Sequence, residues 1–472
     1  MDGRPLDLSA ILVYPNAREV ALSSLGFLKV HGMLAARSAV ADFAYLPGPP
    51  PSPVLSPAQG LLLGERTRRE ARAFDFLGFS VSYENDYVNV VRLLDMAGIE
   101  PVGERRSEAF PFIVIGGFTM FMNPRPLAPL ADAIVVGEAE PVLGEMLEIL
   151  AAAKSGGWSR GRLRERVSSL RGVLVPGAGQ AAVERVWAQP DSFAPEPAGL
   201  PAGGDAHFGD MRLVEVGRGC GRGCLFCAAG CLYRPVRMRE AAEILNAAGR
   251  ARRVGLVGPA VADHPDLEGM IEILVEGGAR IGVSSLRADR VTARLAGLLA
   301  EGGMKTATIA PETGSEDLRM RMGKKIIDGQ LLDCVRVLAE AGIPTVKLYF
   351  MIGLPGETDE DVRAIAGLVG RLAEVRGRSR LSVSAAPFVP KPGTPLEDAP
   401  FADMKVLRRR AGLLKAIRAI RGCTLKVASL ESAWLEAALA RADESMAPLM
   451  LEAVQKGVNL RTHLKRSGYE AA

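Results

Sequence analysis

The sequence predicts an α/β protein with three parts. A doubly wound parallel sheet spans 1–188, a partial six-stranded parallel barrel spans 211–398, and a small helical region spans 399–472, with a linker at 189–210. Three observations carry this reading. Short apolar runs alternate with helical patterns in the first part, as expected of strands buried on both faces and joined by crossover helices. The alternation breaks in a stretch rich in Pro, Gly and Ala, then resumes for six further strand–helix repeats. At 472 residues, 48 % of them apolar, the chain is too long for one ordinary domain and apolar enough for more than one core.

In the first part the strands are "AILVYP" from Ala10, "VADFAYLP" from Val40, "FDFLGFSVS" from Phe74, "FIVIGG" from Phe112 and "DAIVVGEAE" from Asp132. Helical patterns such as "LGFLKVHGMLAAR" and "YVNVVRLLDMAGI" lie between them, and "PGPPPSPVLSP" from Pro47 is a stiff surface loop. In the second part the strands begin near Arg212, Arg253, Arg280, Lys305, Pro344 and Arg380. Helices such as "DLEGMIEILVEGG" and "DEDVRAIAGLVGRLAEV" separate them, which is the repeat of a parallel barrel. After "VPKPGTPLE" the pattern is mostly helical, and "MKVLRRRAGLLKAIRAIRG" reads as a solvated basic helix face.

A net charge of +4 gives no argument for nucleic acid or an anionic membrane surface. The N-terminus lacks the apolar core of a signal peptide, and no uninterrupted apolar run is long enough to cross a bilayer. Six cysteines in such a length do not form a disulfide framework, so a reducing, cytoplasmic setting is expected.

Four of those six cysteines stand together in "GRGCGRGCLFCAAGC", from Gly217 to Cys231. Cys220, Cys224 and Cys227 have the spacing C-x3-C-x2-C and directly follow the first barrel strand, at the end where such barrels carry their active sites. Clustered thiols in a reducing setting indicate metal. Zinc asks for four ligands, commonly two C-x2-C pairs, and no second pair exists here. An iron–sulfur cube held by three thiolates leaves one iron open to a substrate or cofactor. The glycines allow a tight wrap with N–H groups available to sulfur, and Arg218 and Arg222 offset the charge. Cys231, Cys334 and Cys423 read as small buried apolar residues, although Cys231 is also placed to be a spare thiol or a participant in the chemistry.

With these residues the chain resembles the radical SAM superfamily. The resemblance implies a 4Fe–4S cluster on Cys220, Cys224 and Cys227, with S-adenosylmethionine on the open iron and reductive cleavage to a 5′-deoxyadenosyl radical. Phe226, before the third cysteine, fits the same pattern. The resemblance places Gly258 and Pro259 at the turn that binds the methionine amino group, although "LVGPAVADHP" lacks the acid usual there. It places Ser285 and Arg287 toward the cofactor, Glu312 toward its ribose or methionine end, and Gly353 and Gly356 near its adenine. No catalytic acid or base is assigned, and a reductant such as flavodoxin or ferredoxin is implied.

"IVIGGFTMFMNPRPLAPLADAIVVGEAEPVL" is similar to the corresponding stretch of the cobalamin-binding branch of that superfamily, much of it uncharacterised. The first part is then a Rossmann-like cobalamin-type domain, with its ligand near Gly116, Gly117, Gly137 and Glu138, and the implied activity is methyl transfer to an unactivated carbon. One departure stands out. The D-x-H-x-x-G motif, whose histidine ligates cobalt, is replaced by "YPNAREVALSSLG". His31 lies in the next helix as a structural or surface residue, and His207 lies in the linker with the wrong spacing. A radical SAM enzyme without cobalamin, catalysing hydrogen abstraction, cyclisation or rearrangement, is the alternative. A non-catalytic redox or cofactor sensor is the alternative of another class. A methylthiotransferase is disfavoured, because its second cluster needs N-terminal cysteines and the first cysteine here is Cys220. The substrate is not indicated.

Overall fold

The computed structural model describes residues 5–48, 61–180, 183–196 and 208–469. Most of the Pro-rich loop, much of the 189–210 linker, and His207 lie outside them. The chain forms two compact units, Met1–Asp210 with Ala438–Glu470, and Met211–Ala437.

The sheet of the first unit is built from β1 (Leu6–Tyr14), β2 (Ser38–Tyr45), β3 (Phe76–Ser80), β4 (Phe112–Gly116), β5 (Ala133–Val135) and β6 (Val173–Leu174). Their order is β2-β1-β3-β4-β5-β6, parallel from β2 to β5 and antiparallel at β6. Ile11, Leu12 and Val13 are all buried, because helices cover both faces of a doubly wound sheet. The strand order reverses between β1 and β3, and at such a switch point the flanking crossovers go to opposite faces and leave a crevice at the carboxyl ends.

Local chemistry starts and locks the elements. Ser24 caps helix Leu25–Arg37 by accepting a hydrogen bond from the Phe27 amide. Asp132, fully buried before β5, accepts from Arg106 Nη1 at 2.8 Å, Arg160 Nη1 at 2.6 Å and the Ile113 amide at 2.8 Å. Helix Met446–Gln455 packs on helix Tyr87–Met96. The Asn123 side-chain amide donates to the carbonyls of Ala440 and Ala442, at 3.0 and 2.7 Å, which fixes the chain entering that helix.

The second unit has the expected series: β7 (Arg212–Glu215), then, after a short hairpin of β8 (Gly217–Arg218) and β9 (Arg237–Met238), β10 (Arg253–Val257), β11 (Arg280–Val283), β12 (Thr306–Glu312), β13 (Thr345–Ile352) and β14 (Arg380–Pro387). All but the hairpin run parallel with sequence neighbours side by side, and a parallel bridge from Leu286 to Ile309 carries the order from β11 to β12. The structure adds β15 (Cys423–Val427), parallel to β14, within the stretch expected to be mostly helical. Its residues alternate in exposure, so its apolar signal is too short and too diluted to read beside the helices around it. The preceding basic stretch is helical at Met404–Leu413, and its arginines meet acids of the protein: Arg409 with Asp359 at 2.9 Å and Arg410 with Glu357 at 2.8 Å. Among the described residues, no helix is long and apolar enough to cross a membrane.

Candidate functional site

The cysteine loop leaves β7 and is closed by pairing of Gly217 with Met238 and Arg218 with Arg237. Gly219 has φ +81°, and a Cβ there would collide with the Tyr233 carbonyl, so the loop can close this tightly only with glycine. On the other side the loop is held by the segment after β12. The Leu225 amide donates to the Met322 carbonyl at 3.0 Å, and Gly323, at φ +74°, lies against Gly223 and Cys224.

Cys224 is buried, and Cys220 and Cys227 are half-buried. Burial pushes the Cys224 thiol up; Lys324 opposes this, and Cys227 adds to it. Burial also pushes Cys227 up, against hydrogen bonds from the Gly230 and Ala229 amides, while Cys220 adds to the rise. The three thiols therefore feel one another and share a neighbourhood that supplies N–H donors and cations, a donor set suited to thiolate ligation. Among the described residues no group of three or more His, Cys, Asp or Glu side chains could hold a metal ion. A cube of four irons is a different template, since it spreads its thiolates wider than one ion does.

Of the two arginines in the motif, Arg222 feels the Cys220 thiol, whereas the positive charges acting on Cys224 come from elsewhere. Arg218 is bound to Glu215 at 2.8 Å and Arg222 to Asp263 at 3.0 Å. The positive charges that act on Cys224 are Lys324 and Arg287, opposed by Glu312. Nothing near the motif in sequence points to Lys324. It arrives from the loop after β12 and bonds Glu312 Oε1 at 2.7 Å. Glu312 holds φ +71°, and burial raises its carboxyl against the pull of Lys324. Strain in a non-glycine residue at a strand end, beside the thiols, makes Glu312 a candidate functional position.

The other expected positions are distributed as follows. Arg287 is bound bidentately by Asp289, at 2.9 and 3.0 Å. Ser285 is exposed, and it is Ser284 that ties the strand ends together by donating to the Gly258 carbonyl at 2.8 Å. Pro259 is exposed. The Gly353 amide donates to Glu357 at 2.6 Å, so this turn is closed by the protein's own carboxylate. Phe226 packs against the apolar cluster of Leu318, Met322, Leu354 and Phe388, which walls one side of the cysteine loop. Cys231 is half-buried, with its sulfur 3.9 Å from the Cys224 carbonyl oxygen.

In the first unit, Gly116 and Gly117 end β4, and Gly137 and Glu138 follow β5. The freedom of Gly117 and Gly137 is spent on protein backbone: a Cβ would collide with the Val81 and Val186 segments respectively. Glu138 accepts from the Ala188 amide at 2.7 Å. At the switch point itself, Asn16 follows β1 and donates to Asp86 Oδ1 at 2.8 Å. Asp86 is buried, and its other oxygen has no hydrogen-bond partner among the described residues. Burial raises its carboxyl to about 6, with Asn16 opposing and Glu84 adding. The sequence pass missed both residues; "PNAR" after β1 and "END" after β3 carry the signal only once strand order is known. His31 is buried edge-on to the Phe43 ring, and burial lowers it to about 4, so it is a neutral core residue.

Residues 214–369 match the family described as the radical SAM superfamily, and residues 26–176 match the N-terminal region of radical SAM proteins. The chain belongs to the radical SAM superfamily. Membership implies S-adenosylmethionine and a 4Fe–4S cluster, and the three-cysteine loop is where this radical SAM chain would hold them. It is 29 % identical over 380 residues to an uncharacterised protein of Methanocaldococcus jannaschii, covering 79 % of each. Its fold is similar to that of the radical S-adenosylmethionine methyltransferase TsrM from Kitasatospora setae, solved with tryptophan and a cofactor analogue. That likeness has a TM-score of 0.62 at 13 % identity and covers 98 % of this chain and 100 % of the other. It is also similar in fold to OxsB, a cobalamin-dependent radical enzyme solved with aqua-cobalamin and S-adenosylmethionine, with TM-score 0.56, 14 % identity, and coverage of 96 % of this chain and 62 % of that one.

Proposed function

We propose that this radical SAM enzyme transfers a methyl group from S-adenosylmethionine to an unactivated carbon, with cobalamin held by the first unit. The observation that carries the reading is the joining, in one chain, of the cysteine loop to a parallel sheet of order 2-1-3-4-5 with a buried, half-partnered carboxyl at its switch point. Fold likeness over nearly the whole chain to a radical S-adenosylmethionine methyltransferase and to a cobalamin-dependent radical enzyme supports it. When bound, the cluster and S-adenosylmethionine supply the electron transfer and bond cleavage, and cobalamin supplies the methyl relay.

The protein's own part is placement. Cys220, Cys224 and Cys227 are the cluster ligands in this reading, and the Ala229 and Gly230 amides lower the cost of negative charge on Cys227. Lys324 and Arg287 offset charge at Cys224. Glu312, fixed by Lys324, is the carboxylate offered to the cofactor's polar groups, and Phe226 with its apolar cluster keeps water from one side. In the first unit no histidine follows β1, so this turn would offer a bound cobalamin no imidazole, and Asn16 and Asp86 are the polar side chains that the switch point would offer instead. The Gly116, Gly117, Gly137 and Glu138 turns shape the neighbouring strand ends. An external reductant such as flavodoxin or ferredoxin supplies the electron.

Anaerobic reconstitution with iron, sulfide and cobalamin, followed by metal analysis and mass spectrometry of products, tests the reading. Replacing Cys220, Cys224 and Cys227 together by alanine should abolish iron binding and cofactor cleavage, whereas Cys231→Ala should keep about four irons. Cobalt in the purified protein and a methylated product are expected. Cofactor cleavage without bound cobalt would instead support a cobalamin-free radical enzyme, and iron loss in Cys231→Ala would overturn the ligand assignment.

A further inference from the structure

Parallel register fixes which side chains share a face of the barrel. Thr308 stands opposite Lys347, Lys347 opposite Ser382, and Ser382 opposite Thr424. In the next row Tyr349 stands opposite Ser384, and Ser384 opposite Lys426. The intervening residues, Val346, Leu348, Phe350, Leu381 and Val383, are at most 2 % exposed. Because side chains alternate across a strand, that buried face is the one the crossover helices cover, and the two polar rows line the inside of the barrel.

This inner surface carries cations and hydroxyls and no carboxylate in either row. Lys347 has no acidic partner among the described residues; its Nζ lies 4.7 Å from the centre of the Tyr349 ring. Tyr349 is 37 % exposed, large for an aromatic residue in the middle of a strand. Lys426 also meets no carboxylate among the described residues. Glu312, at the end of β12, is already taken by Lys324. The wall formed by β7, β10 and β11 differs in character. Leu213, Gly255 and Gly282 share one row there, and the Met211 side chain lies over both glycines, 2.8 and 3.1 Å from where a Cβ would stand.

Lys347 is half-buried, with an aromatic ring but no carboxylate beside it, so an anion entering the barrel would meet a positive charge that no acid has claimed. We propose that the barrel's substrate carries an anionic group, carboxylate or phosphate, held by Lys347 with the hydroxyls of Thr308, Ser382 and Ser384, and an apolar body that lies on Met211 and Leu213. The proposal rests on the radical SAM reading only in taking the inner face as the substrate side. Charge-assisted hydrogen bonds fix one end of the molecule, and the apolar wall receives the rest of it.

The test is equilibrium binding to the full-length, anaerobically reconstituted protein. The probes are 3-phenylpropionate, phenyl phosphate and 3-phenylpropylamine, which share an apolar body and differ in head group. At least one anion should bind and the amine should not, and the tighter anion identifies the head group. Lys347→Met should weaken that anion about tenfold or more, as expected for loss of a charge-assisted hydrogen bond, and Lys347→Arg should largely restore it. Equal binding of the amine, no binding of either anion, or anion binding untouched in Lys347→Met would overturn the proposal. Iron content and cofactor cleavage are measured on the same samples. Their failure with anion binding intact would sink the proposed function and leave this inference standing.

Discussion

Gly323→Ala tests whether the loop after β12 positions the cysteine loop. Gly323 has φ +74°, and a Cβ there would collide with the Gly223 carbonyl oxygen and come 3.4 Å from Cys224 Cα. Left-handed backbone costs a residue with a Cβ about 1–2 kcal/mol. The collision cannot persist, so the two loops must separate, which breaks the 3.0 Å hydrogen bond from the Leu225 amide to the Met322 carbonyl. That loss adds about 1 kcal/mol, so the variant destabilises the junction by about 2–3 kcal/mol. The damage falls on the loop proposed to hold the cluster rather than on the core. Iron and sulfide per chain and the rate of S-adenosylmethionine cleavage should fall further than thermal stability does. Gly329→Ala is the control: it lies in helix Asp328–Glu340, and its nearest neighbour would be 3.9 Å away. Helix propensity predicts a neutral result or a gain of up to about 1 kcal/mol there, with iron unchanged. Full iron content and normal cleavage in Gly323→Ala would refute the claim that this segment sets the cysteine loop.

Burial raises the Asp86 carboxyl to about 6, well above the ordinary carboxylate range, so the folded state holds its proton more tightly than the unfolded chain does. Its contribution is present below the unfolded value and is lost as pH rises through about 6. Two units correspond to about 3 kcal/mol, so Asp86→Asn should gain about that much stability relative to the parent between pH 4 and pH 8. Thermal unfolding of both proteins across that range checks it, and a pH-independent difference would count against it. Asp132→Ala strands two guanidinium groups whose side chains are at most 9 % exposed, so the first unit should lose about 3–5 kcal/mol. Calorimetry should show this loss while iron per chain stays constant, since the cysteine loop belongs to the other unit.

Some of this protein is decided within short stretches of chain. The spacing of Cys220, Cys224 and Cys227 lies on one loop, so this candidate triad was legible as it stands. Apolar strands that repeat with crossover helices between them give the parallel sheets, because each strand must be buried on its own account. Absence of a histidine after β1 is equally local. Other features depend on strand order and register, to which distant residues contribute. Lys324 reaches Glu312 and Cys224 only because the loop after β12 folds back over the cysteines. Arg218, adjacent to the thiols in sequence, is claimed by Glu215, and Arg222 pairs with Asp263 while still feeling Cys220. Asn16 and Asp86 become neighbours only when β3 pairs with β1. The short strand β15 gains its identity from pairing with β14, and Thr308, Lys347 and Ser382 become one surface only through register. Local sequence fixes what a segment prefers and which chemistry it carries. Charge neutralisation, strand order and the inner face of the barrel belong to the tertiary structure, because each is set by pairs of residues whose separation along the chain leaves no local trace.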